Sequence, residues 1–273
     1  MSANTETARR AGSSTPGCSP GFTTNLRSGA YGFAGEVTPA TEDTLRRATD
    51  EFRREHAHRY SRKQIIASMS RRNAAVRAAG HAIVGRAMGF GPRKVRISKA
   101  PEEPRCWLGE TSYGAPWRME LSEASDPTLW LARASTVIAG RRAEDAAGCS
   151  IASSCADEIV YGQFLCVGAA GAVLHGRVRM NGRLHDVELD PDRVWALVTN
   201  VTDAFLRRHE SSWRRLVDVL ERERSVRGRR LDSILKDVEI DGKQALRYGL
   251  VALARHYLAA GANRAPTAGR EVH

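Results

Sequence analysis

A long helical segment, residues 71–90, places the strongest constraint on how this chain folds. Its sequence, RRNAAVRAAGHAIVGRAMGF, contains no proline, and Gly89 near its end is a typical helix stop. His81 lies in the middle and Arg77 lies four residues earlier, so a helix brings both side chains to one face. The segment therefore predicts a helix that carries Arg77 and His81 side by side.

The other segments predict further helices and only a little β-structure. A strand is expected at residues 93–100, followed by a loop or hairpin over 101–121. The dipeptide Asn181-Gly182, between two alternating segments, is typical of a β-hairpin. Helices are expected at 41–69, 128–148, 153–174, 192–208, 212–224, 229–238 and 244–259. The predicted fold class is mainly α, with a short strand and an inserted β-hairpin.

The ends of the chain differ in composition from its middle. Residues 1–40 are rich in Ser, Thr, Gly and Ala and predict a disordered arm, and residues 261–273 predict a loose tail. Between them we expect a charged helical segment, 41–69, and a main helical domain, 70–260. No apolar run is long enough to span a membrane, and the N-terminus lacks the apolar region of a secretory signal. Cytoplasmic localisation is therefore expected.

The chain is strongly basic, with a net charge of +11 that comes almost entirely from arginine. A basic balance is compatible with binding to nucleic acid or to another anionic surface. The densest segment, residues 207–230, interleaves arginines with acids, which is typical of a solvated helix face. The five cysteines include no CxxC pair, so we expect free thiols.

The order of several motifs resembles a known family. A helix with AAGHA is followed by a strand, a helix with AGRRAE and the segment SSCAD. This order is similar to the M41 peptidase family, the peptidase domain of membrane-anchored AAA+ zinc proteases, over about residues 70–237. The matching residues are Ala79, Gly80, His81, Ala82, Ala139, Gly140, Arg141, Ala143, Glu144 and Asp157.

The resemblance implies a zinc site that this sequence does not complete. In the family's HExxH motif two histidines one turn apart bind zinc, the glutamate activates water, and a distant aspartate is the third ligand. Here the first histidine position holds Arg77 and the base position holds Ala78, so no catalytic residue remains. His81 and Asp157 are the residual ligand positions. A guanidinium does not ligate metal, and we expect Arg77 to pair with Asp157 in its place.

These residues predict an inactive pseudo-peptidase that acts as a protein-binding, peptide-binding or regulatory module. No cofactor is expected; ATP is not expected because no GxxxxGK[ST] loop is present. One alternative is an active zinc metallopeptidase, with zinc held by other ligands such as His58, His175 or His185. A second alternative is a basic protein that binds nucleic acid through its arginine-rich helices.

Overall fold

The computed structural model describes residues 39–57, 59, 61–101, 103–114, 126–149, 156–175, 178–180, 183–185 and 189–262. Within these residues the protein is mainly helical with small β-elements, which confirms the predicted fold class at this level. The helices are α1 (Pro39–Ala57), α2 (Arg62–Ser68), α3 (Arg71–Ala87), α4 (Pro127–Ala146), α5 (Ala156–His175), α6 (Pro191–Arg208), α7 (Glu210–Glu223), α8 (Arg229–Ile234) and α9 (Gly242–Ala262). The strands are β1 (Pro92–Lys99), β2 (Trp107–Tyr113), β3 (Val178–Met180), β4 (Arg183–His185) and β5 (Ser225–Arg227).

Helix α3 lies at the centre of the core, and most of its residues are inaccessible to solvent. The Ser70 side chain caps its first turn by accepting a hydrogen bond from the Asn73 amide. At Gly80, a Cβ would lie only 2.5 Å from the Cβ of Ala143 on α4. The missing side chain therefore allows α3 and α4 to pack closely. Gly89, with φ of 81°, follows the helix, as the sequence predicted.

A three-stranded antiparallel sheet with the order β2-β1-β5 packs against α3. The Thr111 hydroxyl of β2 donates a hydrogen bond to the Ala78 carbonyl, at 2.9 Å. A Cβ on Gly109 would lie 2.3 Å from the Ala74 carbonyl oxygen, so only glycine lets β2 approach the helix this closely. The predicted strand is β1, and β2 lies in the segment 101–121, for which the sequence predicts a loop or hairpin. Strand β5 was not predicted, since its three residues are too few to show a periodic pattern.

The predicted hairpin is present as the antiparallel pair β3–β4, with Val178 opposite His185 and Met180 opposite Arg183. Residues 181 and 182, which form the predicted turn, lie outside the described residues. The helices beyond Pro191 follow the prediction with shifts of a few residues at their ends. The largest difference is at α8, which ends at Ile234, four residues before the predicted end at Val238.

The predicted arm and tail lie mostly outside the described residues. Helix α1 begins at Pro39, two residues inside the predicted arm, and α9 continues to Ala262, two residues into the predicted tail. Leu45 of α1 is buried in the same core cluster as α3, so this helix packs on the main core. None of the helices in the described part of the chain is long and apolar enough to cross a membrane.

Candidate functional site

Arg77 and His81 lie together on the face of α3 that packs against α4. Gly140 of α4 lies directly opposite them: a Cβ there would be 2.3 Å from His81 Nε2 and 2.6 Å from Arg77 Cγ. Any side chain at this position would displace one of the two residues. The glycine of the AGRRAE segment therefore makes room for the polar face of α3.

His81 is buried and held by contacts at both ring nitrogens. Nδ1 lies 2.8 Å from the carbonyl oxygen of Thr136, and Nε2 lies 3.2 Å from Oε1 of Glu158. A carbonyl only accepts hydrogen bonds, so Nδ1 carries a proton and Nε2 faces the carboxylate. The Tyr113 hydroxyl also donates to the His81 carbonyl, at 2.8 Å, which fixes the helix backbone at this residue.

Arg77 contacts two buried carboxylates. Its Nε lies 3.3 Å from Glu144 Oε1 and 3.6 Å from Glu158 Oε1, and Nη2 lies 3.4 Å from Glu144 Oε2. Both glutamate side chains are only 5% exposed, and that of Arg77 is 16% exposed. The second oxygen of Glu158 accepts a hydrogen bond from the Arg141 amide, at 3.2 Å. Little water reaches these charges, so their interactions are screened weakly.

Arg77, His81, Glu144 and Glu158 form a cluster that we call the buried quartet. Its two carboxylates lie against the Arg77 guanidinium, and Glu158 also lies against the His81 ring. These contacts matter because an uncompensated charge in a buried site costs roughly several kcal/mol. The four side chains therefore stabilise one another as a unit.

Asp157 lies beside the quartet and pairs with a different helix. Its Oδ1 is 2.6 Å from Nη2 of Arg53 on α1, and its side chain is 21% exposed. Burial raises the pKa of Asp157 to about 6; Arg53 and Arg77 lower it, and Glu158 raises it further. Desolvation outweighs the short ion pair, so Asp157 gains a proton more readily than an ordinary aspartate.

The sequence predicts a pair between Arg77 and Asp157, but among the described residues each of the two forms ion pairs with other residues. Arg77 contacts Glu144 and Glu158, while Asp157 contacts Arg53. Arg77 still acts on Asp157 through space, because it lowers the pKa of that carboxyl. A direct pair between Arg77 and Asp157 stays a prediction. The carboxylate that lies beside His81 is that of Glu158.

Sequence reasoning missed the role of Glu158, although it follows Asp157 directly. Adjacent residues on a helix point about 100° apart, so only one of two neighbouring acids can face α3. The signal was the acidic pair itself at the start of α5. Which acid turns inward depends on how α5 packs on α3 and α4, and the sequence does not give that rotation.

Ala78, at the expected position of the catalytic base, is completely buried. The Thr111 hydroxyl bonds to its carbonyl, and β2 passes so close that a Cβ on Gly109 would lie 3.0 Å from the Ala78 Cβ. The position therefore has neither a base nor access to water.

The side chains at the motif positions do not fit a zinc ion. The two atoms that could ligate a metal, His81 Nε2 and Glu158 Oε1, face each other at 3.2 Å. The Arg77 guanidinium lies against the same carboxylate, at the place where a metal would need further ligands. In the part of the chain that the structure describes, no group of three or more His, Cys, Asp or Glu residues could hold a metal. His58 and the side chains of His175 and His185, the alternative ligands, lie outside the described residues.

One of the predicted thiols, Cys149, contacts the buried quartet, since its Sγ donates to the Glu144 carbonyl at 3.5 Å. Burial raises the pKa of Cys149, Glu144 raises it further, and Arg77 lowers it. Cys106, Cys149 and Cys166 are free thiols. Burial raises the pKa of Cys166 to about 12, so this thiol is unreactive at neutral pH. The Trp107 ring lies near the guanidinium groups of Arg71 and Arg224, at 5.4 and 5.5 Å from their Cζ atoms. Comparison of the chain with protein-family models and with curated proteins gives no match.

Proposed function

We propose that this protein is a zinc-peptidase-like pseudoenzyme, similar to the M41 peptidase family, that acts by binding a protein or peptide. The observation that carries the proposal is the position of Arg77. It occupies the first histidine position of the motif, and its guanidinium contacts the two buried carboxylates Glu144 and Glu158.

The positive charge of Arg77 within the buried quartet supports the proposal that this arginine takes the place of a metal ion. A zinc site supplies two positive charges to a buried set of histidine and carboxylate ligands. In this protein the Arg77 guanidinium supplies a positive charge to the two buried carboxylates. The His81 ring also keeps the orientation of a metal ligand, since Nδ1 donates to a backbone carbonyl while Nε2 points into the site.

Loss of hydrolysis follows from Ala78 as well as from Arg77. Peptide hydrolysis at such a site needs a metal to activate water and a base to accept its proton. A methyl group buried under β2 supplies neither.

A binding role is supported by the position of β2. In the described part of the sheet β2 has a neighbouring strand on one side only, β1. An edge strand presents backbone donors and acceptors to which an extended peptide can add. Because β2 packs on α3 at Ala74 and Ala78, peptide addition would lie beside the helix that carries the motif.

Three measurements on protein purified without an affinity tag test the proposal. Metal analysis should find no stoichiometric zinc, and labelled casein should not be cleaved. One zinc per chain together with chelator-sensitive cleavage would instead establish the active metallopeptidase.

Hydrogen exchange tests the binding role: an unfolded polypeptide, such as reduced and alkylated casein, should slow exchange at β2 amides. Unchanged exchange at β2, with exchange at β3 as the internal reference, would contradict binding at this edge.

A further inference from the structure

Strand pairing brings two basic segments side by side at the surface. Residues 93–99 contain four basic residues and no acid, and residues 222–230 contain five basic residues and one acid, Glu223. These segments are far apart in sequence. The antiparallel pairing of β1 with β5 joins them, with Lys94 opposite Arg227 and Arg96 opposite Ser225.

Lys94, Arg96 and Arg227 form what we call the basic sheet face. Strand residues alternate between the two sides of a sheet, and Val95, Ile97 and Val226 are the buried residues on the inner side. Lys94, Arg96 and Arg227 therefore lie on the opposite, outer side, where Arg96 and Arg227 are exposed and Lys94 is half-buried.

The pairing of Lys94 with Arg227 is unfavourable for the isolated protein. Like charges directly opposite each other on neighbouring strands destabilise a sheet. Within the described residues neither side chain has a carboxylate within ion-pair distance, whereas Arg96 pairs with Glu110. Many other arginines are matched by acids: Arg142 with Asp203, Arg208 with Asp241, and Arg214 with Glu210. An anion bound across β1 and β5 would remove the repulsion.

We propose that the basic sheet face binds duplex nucleic acid through its phosphate backbone, independently of base sequence. Guanidinium groups bind phosphate oxygens in a bidentate manner, and lysine adds a compact positive charge. Protein–nucleic acid interfaces are more polar and more positively charged than protein–protein interfaces. Besides its cations, the outer side of this sheet carries Ser98, Ser112, Ser225, the partly buried Leu108 and one acid, Glu110, which pairs with Arg96. This side is therefore mostly polar, and its cations outnumber its acid.

The same composition argues against other anionic partners. Protein interfaces and membrane-surface sites need apolar or aromatic side chains at their centre. The large exposed apolar residues of the described chain, Val167, Ile240 and Tyr248, lie outside β1, β2 and β5. Single-stranded nucleic acid needs aromatic platforms for base stacking. The Trp107 ring, on the inner side, already lies beside Arg71 and Arg224. Phosphates of a duplex are the partner that these residues fit.

The test is fluorescence anisotropy of a labelled mixed-sequence DNA duplex titrated with the full chain, repeated with an RNA duplex. The wild type should bind, and the logarithm of its affinity should fall linearly with the logarithm of salt concentration between about 50 and 200 mM. The double variant Lys94→Gln/Arg227→Gln should lose about 1.8 from the magnitude of that slope, since each phosphate contact contributes about 0.9. Its melting temperature should be at least that of the wild type, because the substitution removes a repulsive pair.

A matched control removes the same charge from arginines that already have acidic partners. Arg208→Gln/Arg214→Gln should keep the wild-type salt slope. Equal slopes for the wild type and the Lys94/Arg227 variant would overturn the proposal, and so would no duplex binding at about 50 mM salt. Tighter binding to single strands than to duplex would also contradict the proposal, and so would binding to phosphatidylserine vesicles without binding to duplex.

Discussion

Replacement of Arg77 by methionine tests the buried quartet most directly. Methionine keeps an unbranched stem of similar bulk and removes the guanidinium. Glu144 and Glu158, each 5% exposed, would then face His81 with one positive charge fewer. Removing one partner of a buried ion pair costs about 3–5 kcal/mol, because the remaining charge stays buried without compensation.

A surface arginine provides the matched comparison. Arg214 pairs with Glu210 on α7, and their side chains are 72% and 50% exposed. An exposed pair of this kind contributes about 0–1 kcal/mol. Arg214→Met should therefore leave the free energy of unfolding almost unchanged. Against a typical total of about 5–15 kcal/mol, Arg77→Met should remove a large fraction of the stability.

The assay is urea unfolding followed by circular dichroism at pH 7, with a double-mutant cycle for each carboxylate. Coupling energies between Arg77 and Glu144, measured with Glu144→Gln, should exceed those between Arg77 and Asp157, measured with Asp157→Asn. Equal small losses for Arg77→Met and Arg214→Met would refute a buried structural role. A larger coupling with Asp157 than with Glu144 would restore the pair expected from the sequence.

Three further predictions concern single positions. The folded pKa of Asp157, about 6, lies above its ordinary value of 3.8, so its contribution to stability is fully present below pH 3.8 and is lost as pH rises through 6. Relative to the Asp157→Asn variant, the wild type should lose about 3 kcal/mol of unfolding free energy between pH 3.8 and pH 6. Parallel pH profiles of the two proteins would show that burial does not raise the pKa of Asp157. Gly140→Ala places a Cβ 2.3 Å from His81 Nε2 and should cost about 1–3 kcal/mol, whereas Gly91→Ala, with nothing within 4 Å, should cost less; equal melting temperatures would be inconsistent with close packing. Arg77→His places a second imidazole one turn from His81 and should bind zinc without hydrolysing casein, which metal analysis and a cleavage assay check; zinc content equal to that of the wild type would show that the scaffold no longer supports a metal.

The sequence by itself determined most of the secondary structure. Gly89, Pro191 and Asn181-Gly182 are local signals whose effect on the backbone is steric, so they predict a helix stop, a helix start and a hairpin without knowledge of the fold. It also determined that Arg77 and His81 share a face, because helical spacing alone sets that neighbourhood.

Tertiary structure decided which groups meet that face. Glu144 and Glu158 come from two other helices. Gly140 leaves space for the Arg77 and His81 side chains, and no local pattern records that space. The rotation of α5 turns Glu158 inward and leaves Asp157 to Arg53. The same holds for the basic sheet face, because β5 is too short to be recognised and its pairing with β1 joins segments more than a hundred residues apart. Contacts between distant segments depend on the packing of the whole core, which residue periodicity does not specify.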